Sequence, residues 1–224
     1  VSWLALFAGV WPAQGLRLRA RLAEHRREIA AVALVTLIGG GFRFVALGQI
    51  PNILIGDEGM IGNWALGIGV NSGALSMPFG YMDGVGTIYL GMLKAMILVF
   101  GANEVSLRLL PALAGTLALP AIYLFSRSLF GTRVAWIALA ILTVSHVHIH
   151  FSRTVAVSYI YSTVFVPMAL YFLISGMERR SPFRLSLSIL MISLHANTYI
   201  DAWVWLVLLF LLLGAWVLID RSLF

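Results

Sequence analysis

The stretch from Ile50 to Trp64, IPNILIGDEGMIGNW, sets two carboxylates side by side, Asp57 and Glu58. Acid is scarce in this chain, with nine acidic residues in 224. An adjacent pair between glycines, just after an apolar helix, has two readings. It lies at a wet membrane surface, or it does proton chemistry there. Four cations, Arg43, Lys94, Arg108 and Arg153, fall near the ends of apolar segments. A cation in the bilayer core costs about 2.5–3.5 kcal/mol on insertion scales, so such residues normally have a partner or a task. Snorkelling to the headgroups is the plainer reading for Arg43 and Arg153. The run SHVHIHFSR adds His146, His148 and His150. On a helix His146 and His150 share a face, while His148 points about 160° away.

The elements that must position these residues are membrane helices. The chain is 61% hydrophobic and 11% charged, against about 25% charged in a soluble domain. Mean hydropathy is +0.96. Apolar runs near 20 residues recur, enough to cross a hydrocarbon core of about 30 Å. The absence of cysteine excludes disulfides, thiolate metal sites and a Cys nucleophile. The net charge of +6 does not argue for nucleic acid, because no basic stripe carries interleaved aromatics and a positive-inside bias gives the same total. The fold class is therefore all-α, a polytopic transmembrane bundle.

Residues 1–28 read as a basic, interfacial cytoplasmic segment, because the apolar stretch precedes the arginines, the wrong order for a cleaved signal. Candidate helices are Ile29–Leu47, Gly84–Phe100, Val105–Phe125, Arg133–His150, Val155–Ser175, Pro182–Ala196 and Ala202–Ile219. If all seven cross, Arg127, Arg133, Arg179, Arg180 and Arg184 fall outside. If Gly84–Phe100 lies on the surface, six helices span, and eleven cations become cytoplasmic against four. The second arrangement obeys the positive-inside rule. It makes residues 48–104 one long external loop with juxtamembrane helices, and a loop that long in a compact bundle is usually functional. Asp57, Glu58, Asp83, Glu104 and Asp201 then share the outer face with the four cations.

The segment FRFVALGQIPNILIGDEG, with Arg43, Leu47-Gly48, Pro51 and Gly56-Asp57-Glu58, resembles the first-helix exit and acidic loop of the GT-C membrane glycosyltransferases. The likeness is to glycosyltransferase family 39, the protein O-mannosyltransferase and aminoarabinose-transferase type. A second block, FGANEVSLRLLPALAGTLALPAIYLFSRSLFGTRVAWIALAILTVSHVHIHFSR, follows the family's order of Phe-Gly, Arg-Leu, Arg-x-Leu-Phe-Gly and Phe-Ser-Arg. The resemblance runs from about residue 40 to 219, making 29–224 a GT-C-like module. Its motifs are specific in their joint order rather than singly.

The resemblance implies an inverting transfer of a sugar from a polyprenyl-phosphate carrier to a hydroxyl of a lipid, glycan or protein. The reaction would face outward from a bacterial plasma membrane, with the N-terminus cytoplasmic. By that likeness Asp57 is the catalytic base and Glu58 its neighbour, often structural. Arg43, Arg108 and Arg153 would handle phosphate or hold the loop. Asp83 and Lys94 lie where many members carry a Lys/His-Pro-Pro motif, here replaced by MPFGYMDGVG. Some members also carry an acid where this chain has Ser158.

No cofactor is firmly implied. A divalent metal is left open, with His146 and His150 needing a third ligand such as Asp57 or Asp201. His148 and His150 otherwise line the outer cavity as hydrogen-bonding groups. His195, Asn197 and Asp201 mark a polar break between two apolar helices. Family members are longer than this chain, which therefore reads as an N-terminal half or a shortened relative. The alternative function is a non-catalytic subunit built on the same module, packed against other membrane subunits. A transporter would want two related halves with polar breaks at the midplane, and no internal repeat is visible.

Overall fold

A computed structural model describes residues 25–54, 56–68, 81–82, 84–154 and 159–219. Asp83, Ser158 and nearly all of the basic segment before α1 lie outside these residues. Helix α1 is Arg26–Phe44, α2 is Gly56–Gly67, and a two-strand antiparallel hairpin pairs β1 (Tyr81–Met82) with β2 (Val85–Gly86). Then come α3 (Thr87–Phe100), α4 (Glu104–Val144), α5 (His146–Ser152), α6 (Tyr159–Glu178), α7 (Pro182–Ala196) and α8 (Ala202–Ile219). Among the described residues three of these helices are long and apolar enough to cross a membrane, namely α4, α6 and α8.

Helix α4 is two helices that meet at Gly131, whose φ of 81° and ψ of 177° leave the helical region. The chain doubles back there, as the Phe130-Gly-Thr turn predicts. Tyr123 before the turn packs edge-on against Trp136 after it, with ring centres 5.1 Å apart. Leu119 and Leu139 share the same buried cluster. Start and stop are chemically marked. Asn103 accepts from the Ser106 N–H and Ser106 faces the Asn103 N–H in a capping box, which satisfies donors the first turn leaves unpaired.

Expected as one helix from Arg133 to His150, the next segment breaks at Ser145, whose ψ of 112° is not helical. Ser145 then caps α5 through the His148 N–H. The break turns His148 inward, where it is buried.

Helix α3 has 14 residues, so at 1.5 Å per residue it spans about 21 Å, short of a bilayer core. Its buried face, Tyr89, Leu90, Leu93 and Ile97, packs on Ile61 and Ala65 of α2. It also meets Leu107 and Ala114 of α4, and Ile160 and Tyr161 of α6. Those are the first turns of α4 and α6, so α2, the hairpin and α3 cover one end of the bundle. Gly115 lets Arg43 and Ser152 crowd that end, since a Cβ there would collide with the Ser152 side chain.

The charges separate along the bundle. At the covered end lie Arg43, Glu58, Lys94, Arg108, Arg153 and Asp201. At the other, Glu28 of α1 accepts from Tyr123 and Arg127 of α4, and Arg133, Arg179, Arg180 and Arg184 follow from the helix directions.

Candidate active site at the covered end

Glu58 and Arg108 form the centre. Both side chains are fully buried, and the guanidinium grips the carboxylate through Nε and Nη2, each 3.0 Å from an oxygen. The remaining N–H groups of Arg108 reach the carbonyls of Leu47 at 3.1 Å, Pro51 at 2.8 Å and Ile53 at 3.4 Å. One planar fork thus holds both the loop after α1 and the first turn of α2. Asp57, next to Glu58, is exposed. On a helix neighbours differ by about 100° in direction, so fixing Glu58 inward fixes Asp57 outward.

Arg153 works on the same loop from the other side. Its guanidinium donates to the carbonyls of Phe42 (2.8 Å), Val45 (2.7 Å), Ala46 (3.1 Å) and Ile50 (3.0 and 3.1 Å). These include the last carbonyls of α1, which have no partner inside the helix. Ala46 stands at φ 53°, the left-handed conformation that usually selects glycine at a helix end. Lys94 does the same for α2, donating to the carbonyls of Leu66 and Ile68. A cation at a helix C-terminus also meets the negative end of its dipole.

Arg43, fully buried, donates to the carbonyls of Gly39 (2.7 Å) and Leu142 (3.1 Å) and faces His148 Nδ1 at 2.8 Å. Guanidinium has no acceptor, so His148 Nδ1 accepts and its proton sits on Nε2, which faces Thr163 Oγ1 at 3.2 Å. Thr163 passes its own hydrogen to the Ile160 carbonyl. His148 is thereby a neutral strut. The Nε of Arg43 is buried without a hydrogen-bond partner.

His146 and His150 point elsewhere. Their rings stack 6.4 Å apart on the wall of a cavity of about 650 Å³, with Arg153, Ile50, Pro51 and the outer flank of α1 (Ile38, Phe42, Val45). Among the described residues no group of three or more His, Cys, Asp or Glu converges as metal ligands. The structure brings together Arg43, Glu58, Arg108, Arg153 and His148, with Lys94 bracing α2 nearby.

One cluster went unforeseen as a unit. Ser162 of α6 donates to Asp201 Oδ2 at 2.7 Å and meets His195 Nε2 at 3.0 Å. His195 and Asp201 were visible as a polar break, but no spacing rule ties Ser162 to them across a helix. Burial pushes the Asp201 carboxyl up, yet donors from His195 and Ser162 prevail and hold it below the usual carboxylate range.

A short cap over a bundle of apolar helices, with buried arginines beneath it, defines an integral membrane protein with its polar machinery at one end. Residues 88–224 match the family described as dolichyl-phosphate-mannose-protein mannosyltransferase, and the chain belongs to that family. Its fold is accordingly that of a GT-C type glycosyltransferase. The match begins after Asp57 and Glu58. No curated protein and no solved structure matches the chain.

Proposed function

We propose that the protein transfers a sugar from a polyprenyl-phosphate carrier to an acceptor hydroxyl at the extracytoplasmic membrane surface. Asp57 serves as the base. It takes the hydroxyl proton as the acceptor oxygen bonds to the anomeric carbon, and the bond from that carbon to the phosphate oxygen breaks. One displacement inverts the centre, and the lipid phosphate leaves with the electron pair. The observation that supports this most is the Glu58–Arg108 pair, which fixes Asp57 outward on the first turn of α2. A base must be held within hydrogen-bond reach of the acceptor to be effective.

The donor fits the cavity beside α1. Ile38, Phe42 and Val45 give an apolar flank for the isoprenoid, and Arg153, His146 and His150 ring its polar end, where a departing phosphate needs positive or donor groups. Lys94 steadies α2 beside this site through the carbonyls of Leu66 and Ile68. The arginine-rich end at Arg127, Arg133 and Arg179 faces the cytoplasm, by the positive-inside rule.

The non-catalytic reading draws on one observation, that Arg108 and Arg153 spend their N–H groups on Glu58 and backbone carbonyls. Reconstituting the protein with a labelled polyprenyl-phosphate sugar and a hydroxyl acceptor separates the two. Turnover by the wild type and its loss in a folded Asp57→Asn variant supports transfer. Equal, background-level signal from both supports the scaffold.

A further inference from the structure

The loop between α7 and α8 does not merely connect them. The Thr198 carbonyl accepts from the Gly86 N–H at 3.0 Å, and the Ile200 N–H donates to the Gly84 carbonyl at 2.9 Å. Tyr199 bridges Val85 in antiparallel register. The loop is thus joined to the hairpin by one antiparallel bridge and its two flanking hydrogen bonds. Gly86 is the contact point, for a Cβ there would strike the Asn197 carbonyl. Beneath this bridge sit His195, fully buried and stacked on Phe165 of α6, and the carboxylate of Asp201.

With each hydroxyl hydrogen placed on its carbonyl or carboxylate partner, the hydrogens of this cluster can be followed one by one. Thr198 has one hydroxyl hydrogen, and it goes to the His195 carbonyl at 2.7 Å. Its oxygen, 2.8 Å from His195 Nδ1, can then only accept, so Nδ1 carries a hydrogen. Ser162 gives its one hydrogen to Asp201 Oδ2. Its oxygen, 3.0 Å from Nε2, can also only accept, so Nε2 carries a hydrogen too. Asp201 Oδ1 lies 3.3 Å from Nε2 and is itself buried. A buried acceptor left unpaired is costly, and the Nε2 hydrogen satisfies it.

We propose that His195 is held as an imidazolium by Asp201, and that this ion pair latches the α7–α8 loop and the external hairpin onto α6. The latch ties the outer cap to the far half of the bundle, and it stands independently of the sugar-transfer reading. It needs Asp201 ionised, so it opens in acid strong enough to protonate that carboxylate. The neighbouring titratable groups are the phenols of Tyr199 and Tyr159, whose rings pack edge-on 5.3 Å apart. Asp83, between β1 and β2 in sequence, is outside the described residues.

The test uses the whole protein in nanodiscs with nitrogen-15 labelled histidine. His195→Gln assigns the resonances. At neutral pH both ring nitrogens of His195 should resonate as protonated, and Asp201→Asn should leave one of them bare. In parallel, exchange protection of the Gly86 and Ile200 amides, corrected for intrinsic rates, should hold from neutrality to about pH 5 and fall in stronger acid. It should fall at least tenfold in Asp201→Asn while α4 amides stay protected. If Asp201→Asn unfolds the bundle, Ser162→Ala gives the second reading, with loss confined to the same two amides. A singly protonated His195 in the wild type overturns the proposal. So does Gly86 and Ile200 protection that neither pH nor the folded variant changes.

Discussion

Arg108 and Glu58, 50 positions apart in the chain, meet in a two-bonded pair that is wholly removed from solvent. Such a pair is a poor source of net stability when compared with apolar packing, but removing one partner strands the other. The loss is expected to be about 3–5 kcal/mol for one buried partner. Arg108→Met should cost more than Glu58→Gln, because it also releases the carbonyls of Leu47, Pro51 and Ile53. Thermal unfolding of the two variants in detergent checks the order. Equal losses would mean that the carbonyl bonds carry no weight.

Arg153 holds a helix end in a conformation its residues do not prefer. Lysine in its place offers a compact ammonium without the planar fork. Arg153→Lys should lower stability by about 1.5–3 kcal/mol, the worth of a charge-assisted bond lost. Ala46→Gly should raise it by about 1 kcal/mol, since left-handed backbone at a non-glycine stores strain of that order. Ala46→Gly should also recover part of the loss in Arg153→Lys. Unfolding midpoints of the two single variants and the double variant decide this, and a destabilised Ala46→Gly would refute it.

Gly86 faces the Asn197 carbonyl too closely for any side chain. Gly86→Ala must therefore push the α7–α8 loop off the hairpin. Limited proteolysis should cut near residues 197–201 in this variant and not in Gly91→Ala, where a Cβ meets open space. Matching cleavage patterns would mean the bridge to Tyr199 forms without that close approach.

Asp201 gives a pH dependence with a definite sign. Its folded carboxyl is held low despite burial, through donors from His195 and Ser162. An Asp with a lowered folded pKa binds its proton more readily when unfolded. Its contribution is then present above the unfolded value of about 3.9 and is lost as pH falls through the lower folded value. The gap in unfolding midpoint between wild type and Asp201→Asn should be undiminished at about pH 5. It should close only in stronger acid, and a gap that keeps widening there would reverse the sign.

Much of this arrangement was legible in the residues. The Phe130-Gly-Thr turn, the brevity of the apolar segment Gly84–Phe100 and the split of arginines between two ends follow from turn chemistry, helix length and charge. The break at Ser145 did not show, because the apolar run continues through it and serine is tolerated in a helix. The partners of the arginines were also hidden. Charge says that Arg43, Arg108 and Arg153 need acceptors; only the folded loop shows that backbone carbonyls and Glu58 supply them. Ser162 was silent for a similar reason. A lone hydroxyl on an apolar helix is ordinary until His195 and Asp201 close over it.

The central claim is that Asp57 removes the acceptor proton. The most direct measurement is single-turnover transfer from a labelled polyprenyl-phosphate sugar by wild type and Asp57→Asn in matched nanodiscs, with donor binding measured on the same samples. The account predicts a fall in transfer of about 10²–10⁴-fold, the usual worth of a general base, with donor binding and the unfolding midpoint unchanged. Transfer by Asp57→Asn at the wild-type rate would contradict it.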